Sequence, residues 1–203
     1  MKTTIIVAMA GVGLAAVVQA QDAARARQLF EAGLPDQALQ AIREEREASG
    51  PNAASAYLAS QIHLSRDQSG EARVELERVA ATGGPVWTLI AESATALIDN
   101  DSARALDTAG RAAMAAPNDF FAQYQLGLAR AQTEDWPAAA EAFERASQLD
   151  PVFAYAHYYA GLAYSRIQRI DRTATHFETF LKLAPKAPER TAVESIMRTL
   201  RGR

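Results

Sequence analysis

The sequence predicts an all-α fold, an α-solenoid of about five antiparallel helix pairs plus a C-terminal capping helix, and three observations predict it. Prolines stand at 51, 85, 117, 151 and 185, at spacings of 34, 32, 34 and 34 residues. A fixed period of that length marks supersecondary units stacked in an array. Alanine supplies 45 of the 203 residues against seven Phe and two Trp, and alanine is both the best helix former and a side chain small enough for helices to pack closely. There is no cysteine, which excludes disulfides, thiolate metal sites, cysteine nucleophiles and lipidation of an N-terminal cysteine. The near balance of 21 Lys+Arg against 24 Asp+Glu supplies no excess of cations to neutralise phosphates, so nucleic acid is not an expected partner.

The first element is residues 1–20. Lys2 gives a short positive start, Ile5 to Val18 is an apolar run, and Val18-Gln19-Ala20 places compact side chains where a signal peptidase cuts. The expected scissile bond joins Ala20 and Gln21. The alternative, an uncut membrane anchor, is disfavoured because the run is shorter than the ~20 residues that span a bilayer comfortably. Three lysines against 18 arginines, with abundant alanine, suggest a GC-rich bacterial coding sequence. The expected location is therefore a periplasm, with the protein soluble after cleavage, since no later apolar run is long enough to span a membrane.

The repeat units follow in order at about 21–51, 53–85, 86–118, 120–153 and 154–186. In the fourth, Leu126-Gly127 precedes Ala139, Phe143, Ala146 and Pro151; in the fifth, Gly161 and Tyr164 precede Phe177 and Pro185. A glycine inside a helix costs about 1 kcal/mol relative to alanine, which makes sense where a partner helix comes too close for a side chain. Ala139 is expected to be that close partner of Gly127. Phe143 and Phe177 lie where a ring can plug the gap between paired helices. Leu-Asp-Pro at 149–151 and Leu-Ala-Pro at 183–185 end second helices, because proline pushes its predecessor out of the helical region. Gly33-Leu34-Pro35-Asp36 and Glu134-Asp135-Trp136-Pro137 read as turns within units.

These residues resemble the tetratricopeptide repeat, a 34-residue helix-turn-helix with the pattern W-x2-L-G-x2-Y, A-x3-F, P. The fourth unit departs from it at Gln123 and Arg130, and the fifth at His157, Ala160 and Thr173. The third keeps Ala105, Ala112 and Pro117 but has Ser93 for the Gly and Ala109 for the Phe. The second keeps Ala72 and Leu76, and the first keeps Ala38 and Ile42. The resemblance implies a right-handed α-solenoid. Residues 187–203 fit no full unit. There Val193, Ile196, Met197 and Leu200 form one helical stripe, with Glu189, Arg190, Glu194, Arg198, Arg201 and Arg203 elsewhere, as a capping helix requires.

The resemblance also implies that first helices line a concave groove through fixed positions of each unit. Carried over, those positions hold Trp87, Phe121 and Tyr155; Tyr57, Ile90, Tyr124 and Tyr158; Gln61, Ala94, Leu128 and Leu162; and Ser65, Ile98, Gln132 and Arg166. Two readings of the rings stand side by side. Tyrosine and tryptophan offer large area at low rotamer entropy, which suits a peptide-binding surface; or the rings fill the interface between neighbouring first helices. Chaperone-docking members of the family grip a carboxylate with Lys and Asn, and neither occurs here at the two positions that carry Tyr124 and Leu128 in the fourth unit.

No H-E-x-x-H, phosphate loop, dinucleotide fingerprint or G-x-S-x-G elbow occurs. His63, His157 and His176 have no metal-ligand spacing, and His157 reads as packed rather than ligating. The carboxylate pairs Glu44-Glu45 and Glu134-Asp135 read as solvated faces. No catalytic residue, metal or cofactor is therefore expected. The expected function is a non-catalytic protein-binding scaffold of the bacterial envelope that holds a segment of another envelope protein in its aromatic groove. The alternative is an accessory subunit of a periplasmic enzyme or cytochrome-maturation system, and self-association stays open.

Overall fold

The computed structural model describes residues 24–201; residues 1–20, with the expected cleavage site at Ala20 and Gln21, lie outside them. Eleven helices and no strand run through the described residues. They are α1 (24–31), α2 (Pro35–Ser49), α3 (Ala53–Leu64), α4 (Ser69–Thr82), α5 (Gly84–Ile98), α6 (Ser102–Ala115), α7 (Phe120–Gln132), α8 (Trp136–Leu149), α9 (Ala154–Arg166), α10 (Ile170–Leu183) and α11 (Arg190–Arg201). Consecutive helices pack on one another from α3 through α10, as a solenoid requires. No helix among the described residues is long and apolar enough to cross a membrane.

Local chemistry sets the ends of these helices. Asn52, Asp101, Asp119 and Asp135 each accept a hydrogen bond from a backbone N–H of the helix they precede, satisfying donors that have no partner within the helix. The turn inside each unit contains one residue with positive φ: Gly33, Asp67, Asn100, Glu134 and Gln168. Only the first is glycine, so four turns hold an L side chain in the left-handed region. Pro51, Pro117, Pro151 and Pro185 stand in the breaks between units. Pro85 differs. It lies in the first turn of α5, which starts at Gly84, before the unit boundary read from the sequence. Proline is tolerated there because its missing N–H would be unsatisfied anyway. Gly83 before it is sterically required, since a Cβ would stand 2.2 Å from that of Trp87.

The glycines within α7 and α9 face rings. A Cβ on Gly127 would lie 2.6 Å from the Phe143 ring, and one on Gly161 would lie 2.5 Å from that of Phe177. This corrects the expected pairing with Ala139, which is fully buried but is not the crowding group. The earlier units trade both partners at once. Ser60 and Ser93 take the glycine position, and Leu76 and Ala109 take the ring position. Ser93 Oγ donates to the Ala105 carbonyl at 2.8 Å, and Ser60 Oγ to that of Tyr57 at 2.7 Å. The third unit is therefore internally consistent: where the ring is lost, the extra side-chain atoms on the facing helix fit.

At the C-terminus α11 lays Val193 and Met197 against Phe177, Phe180, Ala184 and Ala187. Its wet side carries Arg198 and the Arg190–Glu194 ion pair at 2.7 Å. At the other end α1 packs through Ala26 on Ala38, Ile42 and Ile62. The neighbouring residues Arg27, Phe30 and Glu31 of α1 reach the fourth and fifth units, so the array closes on itself.

Candidate functional site

The site is the concave face of the solenoid, and closure changes its character. Arg27 on α1 pairs with Asp150 at 2.6 Å, and its guanidinium lies over the Phe153 ring at 5.7 Å. Phe30 stacks on Tyr155 with centroids 5.1 Å apart. Glu31 accepts the backbone N–H of Ala154 at 2.9 Å, so it caps α9 from the far end of the chain. Gly33 has φ +72° and stands so close to the Lys186 carbonyl that a Cβ would lie 2.8 Å from it. Four successive contacts thus join the first unit to the end of the fourth, to the start of the fifth and to the loop before the cap.

Inside this seam the rings form one continuous cluster. Trp87 contacts Phe121 at 4.7 Å, Phe121 contacts Tyr57 at 5.6 Å and Phe120 at 5.0 Å, and Phe120 meets Phe153 at 4.7 Å. From Phe120 the chain of rings continues through Tyr124 to Tyr159 and Phe143. It then passes through Tyr158 to Tyr155 and Phe30. The cluster extends to α1, where Tyr155 stacks on Phe30. The Tyr57 hydroxyl donates to Gln125 Oε1 at 2.6 Å, and Gln125 Nε2 donates to Ser93 Oγ at 3.0 Å. This buried relay links α3, α7 and α5 and satisfies polar groups that would be costly to leave unpaired.

The residues expected to line the groove divide four ways. Tyr57, Ile90, Tyr124 and Tyr155 are buried, with Ile90 at 0% and Tyr57 at 2% exposure. In this closed arrangement they pack in the core, and only Tyr124 and Tyr155 of them also border an inner cavity. Trp87, Phe121 and Leu128 are half-buried around the inner cluster. Tyr158 and Leu162 pack toward Phe177, Phe180 and the cap. Arg166 is exposed, its guanidinium 5.1 Å above the Trp136 ring. The physical reason lies in the alanines. Ala53, Ala56, Ala91, Ala94, Ala122 and Ala156 are buried on the first helices, and small contact residues shorten the distance between helices. Sequence reading missed Phe30, Glu31, Phe120, Gln125, Phe153, Tyr159 and Glu189. The four rings among them carried only the signal of being aromatic in or next to the expected first helices, and nothing in the sequence marked Glu31, Gln125 or Glu189.

Burial governs the ionisable groups here. It pushes the Tyr57, Tyr124 and Tyr155 hydroxyls well above the usual phenol range and Tyr159 to about 12. Burial also raises the Glu31 carboxyl to about 7, against the lowering effects of the Ala154 N–H and of Arg27. On the outer side, His176 is pushed down to about 4 by burial and by His157, whose own value is also lowered by burial. The two Nδ1 atoms are 3.2 Å apart, and His157 Nε2 lies 3.2 Å from the Pro151 carbonyl. With neutral rings, His157 donates from Nε2 to that carbonyl and His176 donates from Nδ1 to His157. His157 is thus packed against a second histidine that the sequence places 19 residues away. Beside them Tyr164 stacks on His176 and donates to Glu144, which also pairs with Arg172 at 2.7 Å.

Solved structures show what class of architecture this is. The thermophilic TPR protein TTC0263 of Thermus thermophilus is similar, with a TM-score of 0.60 at 16% identity over 90% of this chain and 98% of that one. YrrB, described as a TPR protein with an unusual peptide-binding site, has a TM-score of 0.47 at 20% identity, over 79% of this chain and 83% of that one. MamA from Desulfovibrio magneticus RS-1 has a TM-score of 0.47 at 21% identity, over 81% and 94%. The sequence matches no family model and no curated protein. The first of these likenesses establishes the fold: an α-solenoid of the tetratricopeptide type.

Proposed function

We propose that the chain is a non-catalytic protein-binding scaffold of a bacterial envelope, and that a partner segment docks at the end of the concave face where Trp87 and Phe121 are accessible. The observation that carries the reading is a cleft of about 240 Å³ between α1, α3 and the 150–153 loop. It is lined by Leu58, Phe121 and Phe153, with the Arg27–Asp150 pair at its edge. Large apolar anchors beside a charged rim are the anatomy of a protein interface. The envelope assignment rests on the leader-like residues 1–20. The non-catalytic reading is supported by the use of interior polar groups for packing, as in the Tyr57–Gln125–Ser93 relay.

Two measurements test it. A photo-crosslinker at residue 87 in intact cells should capture a defined protein, and the purified pair should lose binding about tenfold or more with Phe121→Ser. Unchanged affinity in a folded Phe121→Ser variant would sink the docking surface. For location, the mass of the purified native chain should correspond to a start at Gln21; an intact Met1 start with a cytoplasmic fractionation pattern would remove the envelope from the proposal.

A further inference from the structure

A second cavity lies deeper in the concave face, about 290 Å³ in volume, close to the lower end of ordinary small-molecule sites of about 300–1,000 Å³. Its wall carries the rings of Phe30, Tyr124, Phe153, Tyr155 and Tyr159 together with the Glu189 carboxylate. No Lys or Arg lines it among the described residues. Glu189 Oε2 accepts the Tyr155 hydroxyl at 3.1 Å, which uses one of about four acceptor directions of a carboxylate. The neighbouring acid groups reinforce its character: Glu189 helps raise Tyr155 and Tyr159, and Glu31 helps raise Tyr124 and Tyr155. The cavity therefore combines aromatic walls with a carboxylate; the nearest guanidinium, Arg27 over the Phe153 ring, is already paired with Asp150.

We propose that this cavity binds an organic cation, an alkylammonium or guanidinium group on a compact apolar body, held by the ring faces and by Glu189. Ring quadrupoles attract a cation placed over them, and desolvation strengthens that attraction. An anion meets Glu189, and a neutral apolar guest gains burial but not the electrostatic contribution. The cavity shares Leu58 and Phe153 with the partner-docking cleft, but Glu189 lines only the cavity and Phe121 only the cleft, so Glu189→Gln and Phe121→Ser test the two proposals separately.

The test is titration calorimetry on the full chain with three probes: choline, Nα-acetyl-arginine amide, and 3,3-dimethyl-1-butanol as the neutral isostere of choline. At least one cation should bind about tenfold or more tightly than the alcohol. Choline alone points to a free small molecule, and the arginine amide alone points to a side chain of a partner protein; both outcomes support the cation site. Glu189→Gln should weaken the cation about tenfold and leave the alcohol unchanged. Gln61→Glu, which places a second carboxylate on the same wall, should tighten it, and this variant keeps the test open if Glu189→Gln disturbs the fold. Binding of the alcohol as tightly as the cations, absence of binding by both cations, or cation affinity indifferent to the charge at both positions would overturn the proposal.

Discussion

The repeated interface and the closing seam bury side chains in different ways. Within a unit, as between α7 and α8, a ring fills the hollow above a glycine, and the same device recurs 34 residues later with Gly161 and Phe177. At the seam each contact occurs once: an ion pair, a stacked ring pair, a carboxyl capping a helix and a glycine against a carbonyl. The first kind, a ring over a glycine, is apolar and joins neighbouring helices. The second is mixed in polarity, joins residues 123 positions apart in two of its contacts, and includes a buried acid. A solenoid gains most of its stability from nearest-neighbour interfaces, so the seam is where the molecule should open first.

The largest effect should come from Phe143→Ala, a fully buried ring with Gly127 beneath it, at about 3–5 kcal/mol in urea unfolding. Phe30→Ala at the half-buried seam should cost less than half of that. An equal loss would mean that the seam is as integral as the repeat. Gly127→Ala should cost about 2 kcal/mol, and less in a Phe143→Leu background. Gly33→Ala meets a backbone carbonyl in a left-handed conformation and should cost about 1–3 kcal/mol. Its distinguishing sign is faster amide exchange in α1 and at Ala154, with α7 and α8 still protected.

The pH response separates the two regions by sign. Glu31 is raised from 4.5 to about 7 in the fold, so its contribution is fully present below 4.5 and is lost as pH rises through 7. His176 is lowered from 6.5 to about 4, so its contribution is full above 6.5 and is lost as pH falls toward 4. Glu31→Gln should therefore stabilise the protein by about 2 kcal/mol at pH 8 and change little at pH 5. Chemical denaturation at the two pH values decides this, and a uniform effect would contradict the assignment. The smallest effect concerns the turns: Glu134→Gly and Gln168→Gly relieve left-handed residues with φ near 58–59° and should each add about 0.5 kcal/mol. Gly33 stands at the equivalent place but is held by the seam, so the turn series tests whether its glycine serves conformation alone.

Much of the architecture was legible because its causes are local. The proline spacing and the apolar stripe Val193, Ile196, Met197 of the cap follow from helix length and helical geometry, whereas the partner of Gly127, read as Ala139, proved to be the Phe143 ring on the facing helix. The candidate site was legible only in part. The sequence pointed to aromatic first helices and left two readings of their rings, of which the packed one describes Tyr57, Tyr124 and Tyr155. The Pro85 position was misread because a proline ending one helix and a proline starting the next look alike in sequence. The pairing of His157 with His176 was invisible, since it depends on how α9 and α10 face each other.

By itself the sequence determined the helical repeat, because a 34-residue period with small residues at fixed places permits little else to bury its apolar stripes. Whether five units leave an open groove or curl until the first touches the last was decided by the tertiary structure alone. Curvature is the sum of small rotations at each interface between units. Only when that sum brings Arg27, Phe30 and Glu31 to α9 do the seam, the buried tyrosines and the Glu189 cavity come into being.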